Sequence, residues 1–118
     1  MVQIDKAAIE AVTSLQKPGK PDLFAKIFSM FELNTPGLLE SIEAGHASGD
    51  SESVRAAAHS LKSSAAYVGA VELSKLSKAI EAAAREERLE EVQMEVSRIG
   101  ECYSQTLNAL QPYLQKAA

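Results

Sequence analysis

Residues 58–70 read AHSLKSSAAYVGA. With Val54 just upstream, Ala58, Leu61, Ala65 and Val68 recur at intervals of three and four, the spacing that gathers side chains on one face of an α-helix. That face is built for burial. Gly69 ends the run and suits the left-handed position past a helix C-terminus. His59 stands between the apolar positions, about 160° around the helix from Leu61 at about 100° per residue. If Leu61 faces a core, His59 faces solvent.

The same spacing fills the chain. Its 118 residues hold only 6 Gly and 4 Pro, and no useful stretch alternates with period two, so the fold class is all-α. A first helix is expected after Asp5, a plausible N-cap, with Ala8, Val12 and Leu15 inside. KPGKPD, residues 17–22, cannot continue it. A second helix starts near Asp22 with Phe24, Ile27, Phe28 and Phe31, and its register resumes at Leu38, Leu39 and Ile42. Pro36 marks either a kink or a first-turn position after a short break at Asn34–Thr35. Periodicity does not let Phe24 and Phe28 both be fully buried, so one of them is expected at a partner surface.

AGHASGDS, residues 44–51, reads as a loop, with Asp50 or Ser51 capping a third helix that runs to Gly69. Leu73, Leu76 and Ile80 face inward on a fourth. Leu89, Val92, Val96, Ile99, Tyr103, Leu107, Leu110 and Leu114 do so on a last one. Between these two series the apolar phase slips across REER, residues 85–88, which places a turn there. Short connections between long amphipathic helices imply antiparallel neighbours. The expected architecture is an up-and-down four-helix bundle with a short extra N-terminal helix, one domain over residues 1–118.

Bulk properties exclude several function classes. The net charge of −4 argues against general nucleic-acid binding, which needs a basic field. No stretch is long and apolar enough to span a bilayer, and MVQIDKAAIE lacks the basic-then-apolar order of a secretory leader. The lone cysteine, Cys102, has no intrachain disulfide partner and reads as buried and inert. Cysteine and histidine nowhere take zinc spacing, so no metal site is expected, and His46 reads as a favourable residue at a helix C-terminus. A cytoplasmic, monomeric, stand-alone protein is the expectation.

On its outward face His59 is flanked by Arg55, Ala56, Lys62 and Ser63, with Ala66 one turn further. A merely solvated face would carry Glu, Lys and Gln, which this chain uses freely elsewhere, as in the acidic run Glu86–Glu95. Ala57, Ala58 and Ala65 are explained by close helix packing; Ala56 and Ala66, facing outward, are not. An imidazole with an ordinary pKa of about 6.5 is largely neutral at pH 7, leaving a ring nitrogen free as a nucleophile. A phosphoryl group placed on it would bring close to two negative charges, which Lys62 could stabilise. Small neighbours would let a partner's active site close to the reacting distance of about 3 Å. Arg55 either steers an acidic partner or pairs with Glu52 or Ser51. Ser64 reads as a packing or backbone-bonding position.

AHSLKSSAAYVGAVELSKL, Ala58 to Leu76, resembles the motif of histidine-containing phosphotransfer (HPt) domains of bacterial phosphorelays. His59, Leu61, Lys62, Ser63, Ser64, Gly69, Ala70, Leu73 and Leu76 match in order, and the likeness extends more loosely over nearly the whole chain. Family members most often have glycine where Ser63 stands. The resemblance implies that His59 accepts a phosphoryl group from an aspartyl phosphate on the receiver domain of a hybrid histidine kinase. It implies that the group then passes to the aspartate of a response regulator's receiver, with Nε2 as acceptor atom. Lys62 would stabilise the charge, and Arg55, Ala56, Ser63 and Ala66 would form the docking face, with adjoining surface of the second or fourth helix. No cofactor of its own is implied, since the receiver brings Mg²⁺. A sensor kinase is disfavoured, because no glycine-rich nucleotide-binding segment is present and Ser60, not an acid, follows the histidine. A non-catalytic helical interaction domain is the alternative; His59 and Lys62 standing together argue against it.

Overall fold

A computed structural model describes residues 2–15 and 22–114. Its helices are α1 (Lys6–Thr13), α2 (Leu23–Ser48), α3 (Ser51–Tyr67), α4 (Val71–Arg85) and α5 (Gln93–Leu114), with a 3₁₀ turn at Leu89–Val92 between the last two. Each of α2 to α5 packs on its neighbours in order and α5 closes the ring against α2, which is the expected up-and-down bundle. The core takes one stripe from each: Phe24, Phe28 and Ile42 from α2, Val54 and Leu61 from α3, Leu73 and Ile80 from α4, Ile99 and Leu110 from α5. Phe24 and Phe28 are both buried, 6.5 Å apart between ring centroids, so neither is at a partner surface. The inward stripe of α2 is wide enough for both because the helix meets α3, α5 and α1.

Short α1 packs against α2 and α3 through Ile9 and Val12. Asp5 caps it by accepting from Ala7 N. Leu15 lies past the last helical residue and is 68% exposed, not inward as its spacing suggested. Most of KPGKPD lies outside the described residues.

Pro36 sits inside a continuous α2, and Asn34 and Thr35 are helical. Proline removes one N–H and leaves the carbonyl four residues back without its intrahelical partner. That carbonyl, of Glu32, accepts a long bond of 3.4 Å from the Tyr103 hydroxyl on α5, while buried Thr35 donates to Phe31 O at 2.6 Å. The break is avoided because a neighbouring helix supplies the missing donor. Residues 44–48 are also helical, so the expected loop shrinks to Gly49 and Asp50. Gly49 takes φ 76°, Asp50 N donates back to Gly45 O at 2.8 Å, and Asp50 caps α3 by accepting from Ser53 N.

At the other end of α3, Gly69 has φ 79° and Ala70 N donates to Ala65 O at 2.8 Å, a left-handed helix stop. The position is also a crossing point. Asp5 N donates to Gly69 O, and a Cβ on residue 69 would lie 2.7 Å from Asp5 O. The turn after α4 falls where the phase slip put it. Glu87 occupies the left-handed position there at φ 56°, and Arg88 N reaches back to Ala83 O. His46, in the last turn of α2, donates from Nε2 to Leu89 O at 3.0 Å, pinning the 3₁₀ turn to the bundle.

Candidate functional site

Helix α3 exposes His59 midway along its length, with Ala56, Ser60, Ser63 and Ala66 exposed around it and Ala57, Ala58 and Ala65 buried beneath. The ring is unobstructed, its side chain 56% exposed. Ser64 is half-buried and donates to Leu61 O, as a backbone-bonding position should. Arg55 donates from both Nε and a terminal nitrogen to Glu52, so its engagement is local to the first turns of α3.

One residue absent from the outward-face reading organises the site. Glu81 of α4 lies against α3 with its side chain only 5% exposed. Its Oε1 receives Lys62 Nζ at 2.6 Å; its Oε2 receives His59 Nδ1 at 2.7 Å and an Arg85 terminal nitrogen at 2.9 Å. A buried carboxylate without partners would be strongly penalised. Here the Lys62 hydrogen bond, followed by that of His59, overrides desolvation and holds the Glu81 carboxyl at about 2. It is ionised throughout the physiological range. Ser74 adds a further link between the helices by donating to Lys62 O at 3.2 Å.

Two chemical consequences follow. An ionised carboxylate can only accept, so Nδ1 of His59 must be the donor. In the neutral ring the lone pair then resides on Nε2. Second, the cluster of Glu81, Lys62 and Arg85 carries one net positive charge beside that nitrogen, although Lys62 is tethered and not a free cation. Expected site residues thus fall into three groups. His59 and Lys62 meet at Glu81, Ala56, Ser63 and Ala66 form a small, open rim, and Arg55 bonds Glu52 while still within the field of Glu81.

Glu81 and Arg85 lie beyond what spacing along the histidine's own helix can show, because they belong to α4. A signal existed: Leu73, Ser77, Glu81 and Ala84 share one inward stripe, and a single carboxylate among apolar and small residues on such a stripe requires a cationic partner within reach. Beside this rim, α2 and α3 form an apolar groove of about 810 Å³ lined by Ile27, Met30, Phe31, Leu38, Tyr67 and Val68, reaching the histidine's face through Ser60 and Ser64. Met30 and Tyr67 are exposed at its edges. Among the described residues no group of three or more His, Cys, Asp or Glu side chains could hold a metal ion, and no helix is long and apolar enough to cross a membrane.

Comparison with known proteins places this geometry. Across 96% of this chain and 95% of the other, the fold superposes on the crystal structure of histidine-containing phosphotransfer protein B (HptB) from Pseudomonas aeruginosa PAO1, with a TM-score of 0.82 at 20% sequence identity. No curated protein sequence matches. Residues 26–111 match the Hpt domain, a span that runs from α2 to the last turn of α5 and includes the whole His59 cluster. The chain belongs to the Hpt domain family, the histidine phosphotransfer modules of phosphorelays.

Proposed function

We propose that this chain is a phosphoryl carrier whose acceptor atom is Nε2 of His59. It takes the group from the aspartyl phosphate of a hybrid kinase's receiver domain and delivers it to the aspartate of a response regulator's receiver. The observation that carries this reading is the 2.7 Å bond between Nδ1 of an exposed His59 and buried, ionised Glu81, because it leaves the Nε2 lone pair aimed away from the protein. That lone pair attacks phosphorus in line with the aspartyl oxygen. The N–P bond forms as the O–P bond breaks, and the released electron pair returns to the receiver's carboxylate. Positive charge then appears on the ring, next to Glu81.

Lys62 acts in two ways: it keeps Glu81 ionised, and with Arg85 it offsets the phosphoryl charge. Each step consumes one equivalent and the chain is discharged, so it is a carrier and not a turnover enzyme. The metal that assists aspartyl phosphate chemistry belongs, on this reading, to the receiver. The receiver docks over Ala56, Ser63 and Ala66 and into the α2–α3 groove, which supports the second helix as adjoining surface. The protein would act as a monomer in the cytoplasm, where receivers work.

Incubation with a phosphorylated receiver tests this directly. The chain should acquire acid-labile, alkali-stable label, and His59→Gln should abolish it while the circular dichroism of the bundle is retained. Undiminished labelling of that variant would overturn the assignment.

A further inference from the structure

We propose that Glu81 is a positioning residue for the phosphorylated ring: it keeps the Nδ1 proton in place after Nε2 has taken the phosphoryl group. The modified His59 then persists near neutral pH as a phosphoimidazolium and not as the neutral phosphoimidazole. The proposal rests on the carrier reading above and concerns the state that follows transfer.

When Nε2 bonds to phosphorus, the ring carries hydrogen on Nδ1 and phosphorus on Nε2, with one positive charge. In water such a ring is free to lose the Nδ1 proton. In this site, loss would leave the Nδ1 lone pair facing Glu81 Oε2 across 2.7 Å, two acceptors with no hydrogen between them. Glu81 has no easy escape. Taking the proton itself is opposed by Lys62, the first cause of the carboxyl's lowered pKa, which stays bonded to Oε1 whatever the state of the ring. Nor can Glu81 readily swing away, being 5% exposed and tied on Oε1 by Lys62 and on Oε2 by Arg85. Charged groups around the ring come from both packed helices: Glu81 and Arg85 from α4, Lys62 and Arg55 from α3. Lys62 and Arg85 reach the cluster through the oxygens of Glu81, and Arg55 is occupied by Glu52; the carboxylate alone bonds the ring.

The consequence is kinetic. When the phosphoryl group departs from a protonated ring, the leaving group is neutral imidazole instead of an imidazolate. The N–P bond breaks, its electron pair returns to Nε2, and the proton is already on Nδ1. The ring recovers its starting tautomer, and a full cycle of loading and discharge exchanges no proton with solvent. Neither direction of transfer then needs a proton to be delivered or removed.

The test uses the full chain, labelled with ¹⁵N-histidine and phosphorylated by phosphoramidate, a small donor whose N–P bond breaks to release ammonia. The Nδ1 resonance and the release of inorganic phosphate are followed against pH. The Nδ1 deprotonation midpoint of the folded phosphoprotein should lie at least about one pH unit above that of the same phosphoprotein unfolded in urea, the size expected for an opposite charge in contact. Glu81→Gln should lower the folded midpoint, and the pH at which phosphate release slows should move with it. Equal midpoints in the folded and unfolded phosphoprotein, or an unchanged midpoint in a folded Glu81→Gln variant, would overturn the proposal while leaving His59 as acceptor. The unfolded reference keeps the test decisive should the variant not fold. Label that survives His59→Gln would overturn the carrier reading and this proposal with it.

Discussion

Replacing Glu81 with glutamine should destabilise the bundle at neutral pH and cease to matter in acid. The carboxyl falls from an ordinary 4.5 to about 2 on folding, first through Lys62 and then through His59, against desolvation. At about 1.4 kcal/mol per pH unit, that difference corresponds to at most about 3.5 kcal/mol of stability. Water screens the partners, since the Lys62 side chain is 32% and that of Arg85 60% exposed, so about 1–3 kcal/mol is the working range. The sign follows from proton binding. The folded pKa lies below the unfolded one, so between them the unfolded chain binds more protons. The contribution is complete above about 4.5 and is lost as pH falls through about 2. Urea unfolding followed by circular dichroism, on wild type and Glu81→Gln in parallel at pH 6, 4, 3 and 2.5, measures this difference free of the other acids that titrate in both chains. The gap between the two chains should be widest at pH 6 and close progressively below pH 4. A gap that is independent of pH, or a variant as stable as wild type at pH 6, would refute the claim that this carboxylate is held ionised by its partners.

Lys62→Ala should slow phosphoryl transfer from a receiver without preventing it, because Arg85 still reaches Glu81 and Nε2 keeps its lone pair; an unchanged rate in single-turnover labelling removes Lys62 from the mechanism. Gly69→Ala should cost about 1–3 kcal/mol in urea unfolding, since φ 79° strains alanine and its Cβ would meet Asp5 O at 2.7 Å. A cost below about 0.5 kcal/mol would mean that the N-terminal segment does not lie against the α3–α4 junction.

Periodicity revealed those parts of the fold that depend on it and failed where a tertiary contact replaced a local rule. The inward stripes, the Asp5 and Asp50 caps and the Gly69 stop are written in residue type and spacing. The turn after α4 was readable only as a phase slip, because the left-handed position falls on Glu87 where glycine would have announced it. Pro36 could be read either way from sequence, since the donor that lets α2 continue is a tyrosine hydroxyl 71 residues away in sequence. The AGHAS segment reads as a loop by composition, yet Gly45 is helical, and a glycine stands there because α3 comes so close that a Cβ would lie 2.7 Å from Val54 Cγ2. Small residues marked a close approach, not a bend.

The site divides in the same manner. An exposed histidine, a lysine three residues on and a cleared rim all belong to one helix, where spacing fixes which side chains share a face. Glu81 lies on another helix, 22 residues away, and joins them only through the packing of α3 against α4. Its contribution differs in kind from theirs. Exposure makes His59 reachable, and a cation nearby makes the site hospitable to an anion, but neither decides which ring nitrogen is nucleophilic. That decision requires an acceptor that cannot be protonated, fixed at Nδ1, and a surface carboxylate on a flexible stem would give way to water. Burial beneath Lys62 and Arg85 gives Glu81 both properties. On the proposed carrier reading, the lysine therefore serves the chemistry even before any phosphoryl group arrives, by keeping the carboxylate charged and in place.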